Sequence, residues 1–423
     1  MLVAIVFVVT LIIGIPIAFV LGIVGMVHLI IINPSLLVQL PQRIFMTASN
    51  YSLLAIPLFI LAGDLMSLSG DVDRILRFAR SLVGGLKGGL CYVTILLGLM
   101  LGTSLASANA EAALLSTALY PTMRKEGYSD TFLGGLICAT SVCGPLIPPG
   151  MLMVVYGVAS GTSIKDLFLA GIMTGVYLAI ALSLVVFLIG RKKDWPKIKF
   201  PGWKEVWESF KGAALSICLP LVVLLCIAMG VCTPTEAAAV LAVVLLLNGL
   251  FNYRTITIKK LYPIFLKAGV LSGAILFISA MGGVFGWTLA YDQVPQKIAS
   301  MITNVTQNPS SVLLILNVLM LFFGMIMDPI PAVMILVPVL MPLVAKMGYD
   351  PVHFGLMTCF NLTIGLLTPP VGTVLYTTSI TTGVSVNKLF KSVWPWVGIC
   401  VFVLMFITYV PNSIMWIPRL FRQ

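Results

Sequence analysis

Charge is scarce in this chain. Only 9% of its 423 residues are Asp, Glu, Lys or Arg, against roughly 25% in a soluble domain, which excludes an ordinary water-soluble fold. Histidine is scarcer still. His28 and His353 are the only two and lie far apart, so a multi-histidine metal site is excluded and a serine-histidine triad has no visible support. Of the eight cysteines (Cys91, Cys138, Cys143, Cys218, Cys226, Cys232, Cys359, Cys400), none falls in a CxxC spacing. Inside apolar runs they serve as small hydrophobes. There is no GxxxxGK[ST] phosphate loop, so energy for any work must come from a gradient or from another chain.

What is abundant is apolar sequence, with 60% hydrophobic residues and a mean hydropathy of +1.10. A spanning helix needs about 20 apolar residues, and the runs present allow about nine crossings with some partial ones. The stretch from Leu2 to Ile32 is too long for a signal-peptide core and has no basic leader. It is expected to be a retained membrane segment. The formal charge of +11 resides in short loops between apolar runs, where positive charge orients a protein in the bilayer. The expected partner of this charge is therefore the lipid bilayer and not nucleic acid.

Sliding the chain against itself exposes a repeat. Pro121 to Tyr128 (PTMRKEGY) matches Pro342 to Tyr349 (PLVAKMGY), an offset of 342 minus 121, or 221. The same offset carries Gly134 onto Gly355, Cys138 onto Cys359, Gly144 onto Gly365, and Pro148 and Pro149 onto Pro369 and Pro370. Residues 191 to 212 hold seven basic side chains (Arg191, Lys192, Lys193, Lys197, Lys199, Lys204, Lys211) against Asp194, Glu205 and Glu208, which marks a cytoplasmic loop. Counting spans from that loop returns Arg124 and Lys125 to the cytoplasm but leaves 291 to 309, with only Asp292 and Lys297, outside. The two repeats therefore have opposite topology, a plan many secondary transporters use to bind substrate and coupling ions at the repeat interface.

This predicts an all-α polytopic membrane protein with inverted repeats, two re-entrant helical hairpins and two broken helices. Its expected parts are an N-terminal transmembrane segment and connector (1–50), a first repeat (51–190), the basic loop (191–212), a second repeat (213–411) and a tail (412–423). The first hairpin, 98–121, interrupts an apolar run with Gly102, Thr103, Ser104, Ser107, Asn109 and Glu111. Irregular backbone at membrane depth is tolerated where it lines a cavity or binds something, although small residues also let helices pack closely. Asn109 and Glu111 are costly in lipid without a role. The first broken helix, 129–160, contains CGPLIPPG (Cys143 to Gly150), where two prolines end the helical hydrogen bonding and free carbonyls that a sodium ion could use. The second, 351–382, repeats the break as IGLLTPPVGTVLYT (Ile364 to Thr377). The second hairpin, 310–342, places Asp328, Pro329 and Pro331 at its tip. Asp328 suits a helix N-cap and equally the N-terminus of a half-helix that attracts an anionic substrate. Thr233 and Glu236 read as a capping box. Asp64 and Asp166 stay ambiguous.

Taken together and in order, SLLAIPLFILAGDLM (Ser52 to Met66), EAALLSTALYP, PLIPPG, TPTEAAAV (Thr233 to Val240) and LTPPVG resemble the large membrane subunit of tripartite ATP-independent periplasmic (TRAP) transporters over nearly the whole chain. The resemblance implies an elevator-type, sodium-coupled importer of organic acids in a bacterial inner membrane. It also implies a small membrane subunit and a periplasmic substrate-binding protein as partners, no cofactor beyond Na+, and no enzymatic activity. One sodium site then falls on Thr103, Ser104, Ser107, Gly144, Pro145 and Ile147, and a second on Gly324, Met327, Asp328, Thr368, Pro369 and Gly372. Substrate would meet Asn109, Pro149, Gly150, Pro331 and Thr373. The first hairpin departs from the family pattern, with LGTSLASANAE where many relatives read SGSAVAD, which points to a pocket with its own preference. The residues leave two alternatives open. One is a membrane-embedded enzyme on a lipid-linked substrate using Asp64 or Glu111, and the other a permease driven by another energy source. Dicarboxylate, sugar acid, keto acid and sulfonate all remain open as substrates.

Overall fold

A computed structural model describes residues 2–105, 107–193, 195–197 and 199–421. Asp194 and the Ser104 side chain lie outside the described residues. The described residues form a succession of helices. The first five are α1 (Leu2–Ile12), α2 (Ile17–Ile32), α3 (Leu40–Ala48), α4 (Ala55–Leu68) and α5 (Asp71–Val83). Next come α6 (Gly89–Leu105), α7 (Ala108–Lys125), α8 (Asp130–Ser141), α9 (Cys143–Leu146), α10 (Met151–Ser160) and α11 (Ile164–Lys192). They are followed by α12 (Trp203–Ala228), α13 (Pro234–Leu247), α14 (Ile258–Tyr291) and α15 (Val294–Val305). The chain ends with α16 (Pro309–Ile326), α17 (Pro329–Lys346), α18 (Pro351–Gly365), α19 (Thr373–Thr382), α20 (Val386–Tyr409) and α21 (Asn412–Phe421). Among the described residues eight helices are long and apolar enough to cross a membrane. The pair α8–α9 and α10, bent by 46°, makes a ninth if counted as one span.

Local chemistry sets the helix starts. Asn308 accepts from Ser310 N at 2.9 Å and Asp350 from Val352 N at 2.8 Å, each opening a helix whose first residue is proline. The capping box at Thr233 is formed: Glu236 accepts from Thr233 N at 2.8 Å, and Thr233 Oγ1 from Glu236 N at 3.3 Å. Some helices run further than the apolar runs predict. The basic segment 191–212 is helical at both ends, because α11 extends to Lys192 and α12 begins at Trp203. Basic residues in a last turn favour the helix dipole. The start of α12 is held by Arg77 paired to Glu205 at 2.8 Å and by Phe210 packed 5.5 Å from Phe78. The tail is also helical, with α21 docked on α11 through Tyr177 Oη, which donates to Ser413 O at 3.1 Å. At the N-terminus, Gly14 in the left-handed region (φ +83°) and Pro16 divide α1 from α2.

The centre of the molecule is α18, buried from Val352 to Gly365 without interruption. Helix α16 lies against it with Gly324 on the backbones of Leu362 and Gly365, an approach that only a residue without a β-carbon permits. Tyr156 of α10 reaches across to donate to Pro351 O at 2.9 Å, and Cys138 of α8 donates to Thr378 of α19 at 3.2 Å. The elements around the two proline pairs thus interlock. Outward faces carry exposed Ile180, Leu184 and Phe187 on α11 and Leu266 and Val270 on α14, as lipid-facing surfaces require.

Candidate functional site

Two helix pairs turn on very short breaks. Helix α6 ends at Leu105 and α7 begins at Ala108, and α16 and α17 are separated only by Met327 and Asp328. Ser107 and Asp328, the N-caps of α7 and α17, are separated by 328 minus 107, the same 221 residues as the repeat. Asp328 Oδ1 accepts from Ile330 N at 3.2 Å, whereas Ser107 makes no side-chain cap bond. Beside each tip lies a proline-pair break. After α9 the chain passes through Ile147 to Gly150, with a cis bond between Pro148 and Pro149. After α18 it passes through Leu366 to Gly372, with a cis bond between Pro369 and Pro370 and Gly372 at φ +52°.

Both tips open on one cavity of about 520 Å³. The first tip contributes Ser107 to Ala110 and the second Asp328 to Pro331, while the breaks supply Pro145 and Leu366. The opposite wall comes from α4 and α14 and is apolar, Ile60, Leu271 and Ile275 among its members, apart from one ion pair. That pair is Lys267 Nζ with Asp64 Oδ1 at 2.6 Å. Two half-helix N-termini and an ammonium group, which favour negative charge, thus face a space large enough for a small organic molecule, alongside the carboxylates of Asp64 and Asp328.

The residues assigned to the first ion site come together in part. A β-carbon added at Gly144 would lie 3.2 Å from Ser107 O, and one at Gly102 would lie 3.1 Å from Ile147 Cδ1. Pro145 is on the cavity. Thr103 lies in the last turn of α6 and donates to Met100 O at 2.7 Å. Of the second set, Gly324 packs on α18. Thr368 Oγ1 donates to Gly365 O at 2.8 Å, and Thr368 O lies 3.3 Å from a β-carbon built at Gly372. Met327 caps the end of α16 and Asp328 faces the cavity. Thr368, Pro369 and Gly372 are set back from it. Of the substrate residues, Asn109 and Pro331 line the cavity. Pro149 and Gly150 are buried instead, and Thr373 begins α19 behind the tip. Asn109 Oδ1 accepts from Thr377 at 3.5 Å, tying the first tip to α19.

Lys267 escaped the sequence reading. A lysine within the apolar run of α14 is itself the signal, because a charge there needs a partner or a polar cavity. Its partner Asp64 is 203 residues away.

Apolar spans around a cavity that is bordered by two helix-turn tips and two helix breaks define a multi-pass membrane protein of the transporter class. Residues 4–413 match the family model described as the tripartite ATP-independent periplasmic transporter, DctM component. The chain belongs to this family and is a large permease. It is 37% identical over 409 residues to the sialic acid TRAP transporter large permease protein SiaM of Vibrio cholerae, covering 96% of each chain. It is 34% identical over 399 residues to the C4-dicarboxylate permease DctM of Pseudomonas aeruginosa, covering 94% of this chain and 93% of the relative. With the 2,3-diketo-L-gulonate permease YiaN of Escherichia coli it shares 32% over 402 residues, covering 95% of each. Among solved structures, the YdaH transporter of Alcanivorax borkumensis superposes with a TM-score of 0.62 at 14% identity, over 90% of this chain and 89% of that one. This last likeness concerns the fold alone.

Proposed function

We propose that this chain is the translocating subunit of a sodium-coupled importer of a small organic acid in a bacterial inner membrane. The observation that carries the reading is the shared cavity: two half-helix N-termini and Lys267 face one space of about 520 Å³. Sialic acid, C4-dicarboxylates and 2,3-diketo-L-gulonate, the cargoes in the relatives' names, share an acidic group, which such a cavity suits. The partners are a small membrane subunit and a periplasmic binding protein that delivers the acid, as the family description implies. The relatives are named as permeases, and transport rather than catalysis is the activity of this chain.

In this reading the two halves are inverted repeats, and each pairs a re-entrant hairpin with a proline break. Sodium is held at the first by Thr103, Ser104, Ser107 and Gly144 to Ile147. A second ion is held by Gly324, Met327, Asp328, Thr368, Pro369 and Gly372. Substrate sits between the tips on Asn109 and Pro331. The hairpins and broken helices move together as an elevator against the remaining helices. Carbonyls freed at a helix break are neutral, preformed oxygen donors, which supports sodium as the ion.

Uptake of radiolabelled organic acids into proteoliposomes tests this. The vesicles hold the chain with its small subunit, receive the loaded binding protein, and are assayed with and without an inward sodium gradient. Gradient-dependent accumulation of one acid is expected. Equal uptake after collapse of the gradient would remove sodium coupling from the reading.

A further inference from the structure

The wall that α14 gives the cavity is charged at one end and apolar beyond it. Its cavity-lining residues Lys267, Leu271, Ile275 and Ile278 follow one another at intervals of four, four and three, so they form one stripe along the helix. The ammonium group heads the stripe. Eleven residues separate Lys267 from Ile278 (278 minus 267), or about 16 Å of helix axis. Ile60 of α4 and Ile17 of α2 line the same space. Among the described residues on the cavity, Lys267 is the one basic side chain, and the polar ones besides it are Asp64, Ser107, Asn109 and Asp328.

The two tips differ in what they offer an anion. A helix N-terminus holds an anion through its N–H groups as well as its dipole. In the first four residues of α17, Pro329 and Pro331 have no N–H. Ile330 N donates to Asp328 Oδ1 and Ala332 N to Asp328 O, both at 3.2 Å. The second tip therefore answers its dipole with its own carboxylate and keeps no amide for a guest. At the first tip Ala108, Asn109 and Ala110 each carry an N–H, and the Ser107 side chain caps none of them. Asn109, whose Oδ1 accepts from Thr377 at 3.5 Å, adds a side-chain amide donor. One tip and one ammonium group can hold an acidic group, whereas a second acidic group would meet Asp64 or Asp328.

We propose that the acid this cavity takes has a single acidic group on an apolar body, as an aliphatic or aromatic monocarboxylate does. The inference rests on the transporter reading of the cavity and deepens it by naming the substrate class. The carboxylate binds the first tip and Lys267, and the body lies along Leu271, Ile275 and Ile278. Removing that body from water supplies the hydrophobic contribution to binding. A dicarboxylate brings a second charge to a wall with no second cation. A sugar acid brings hydroxyl groups against leucine and isoleucine, and each hydroxyl that leaves water without a partner opposes binding.

Isothermal titration of the purified chain with its small subunit, in lipid nanodiscs, tests this. The probes are hexanoate, benzoate, succinate and gluconate, with empty nanodiscs as blanks. Hexanoate and benzoate are expected to half-saturate the protein at concentrations about tenfold or more below those of succinate and gluconate. Leu271→Ser should raise the values for hexanoate and benzoate about fivefold, more than those for succinate and gluconate, a split that a loss of fold would not produce. Ile278→Thr should shift the same two probes in the same direction. Melting temperatures establish that both variants fold. Succinate or gluconate bound as tightly as hexanoate and benzoate would overturn the proposal, as would a folded complex that binds neither hexanoate nor benzoate. Uptake is read separately. Sodium-driven accumulation of succinate or gluconate in preference to the other two overturns the apolar body and leaves the transporter reading intact. Binding of hexanoate and benzoate without gradient-driven uptake of any acid removes sodium-coupled transport and upholds the preference of the cavity.

Discussion

Thr140 and Asn361 occupy equivalent positions 221 residues apart, yet their surroundings are resolved in opposite ways. In the second half, Asn361 Nδ2 donates to Asn317 O at 2.9 Å and to Asn317 Oδ1 at 2.8 Å. Asn317 in turn donates to Leu313 O at 3.0 Å and to Thr408 Oγ1 at 3.3 Å. Of these side-chain polar atoms only Asn361 Oδ1 stays without a partner. In the first half, Thr140 and Glu111 are left with three such atoms, and the position matching Glu111 is Ala332. One half closes its polar interior with its own amides. The other leaves the buried Glu111 carboxyl without a side-chain partner beside Gly144.

The glycines at the two breaks give the widest separation between the halves. A β-carbon at Gly365 would collide with the Gly324 backbone, which has no side chain to move aside. At the equivalent Gly144 the nearest atom is the end of the Glu111 side chain, with the Ser107 backbone further off at 3.2 Å. We expect Gly365→Ala to destabilise the protein by about 3 kcal/mol or more, at the upper end for overpacking. Gly144→Ala should cost less, about 1 kcal/mol in stability. Thermal unfolding in detergent separates the two. Equal losses of stability would mean that the breaks are packed alike and that the comparison fails.

The amide network predicts a middle-sized effect. Asn361→Leu strips Asn317 Oδ1 of its donor inside the core, a loss of about 1–3 kcal/mol. Thr140→Val removes a hydroxyl that bonds to nothing, so stability should stay within about 0.5 kcal/mol of native or rise. A melting temperature lowered as much by Thr140→Val as by Asn361→Leu would show that Thr140 is bonded in the folded protein.

Much of this was legible beforehand. The paired prolines and the 221-residue offset expose both breaks, because proline forbids helical continuation whatever packs around it. Glu111 and Asn109 stand out because polar atoms in an apolar run demand a reason. The family resemblance also assigns Pro149, Gly150 and Thr373 to substrate; the first two are buried at the break and Thr373 begins α19. A β-carbon at Gly150 would lie 2.4 Å from Pro145 O, a close approach that no sequence pattern announces. Thr140 looked like any small polar residue of a packed helix. Its significance depends on α6 and α7 arriving beside it, a tertiary fact with no local trace.

The cavity wall offers the smallest effect and the finest distinction between the halves. Asp64 comes from α4 and Lys267 from α14, and the matching positions 221 residues away are Phe285 and Met46. Each half thus gives the wall one charge that the other lacks. The Lys267 side chain is 59% exposed and Asp64 only 19%, so the pair itself adds little stability. Its value lies in the free side of the ammonium group, which faces the cavity and can take an anionic substrate in place of, or beside, Asp64. Lys267→Met should raise the half-saturating concentration of the transported acid about fivefold, or about 1 kcal/mol, with maximal rate and melting temperature nearly unchanged. Asp64→Asn should shift it the other way by a smaller factor, since it relieves competition for the same ammonium. Uptake kinetics on both variants decide the matter, and a Lys267→Met protein with native half-saturation would reduce the wall to a packing surface and leave acid recognition to the two tips.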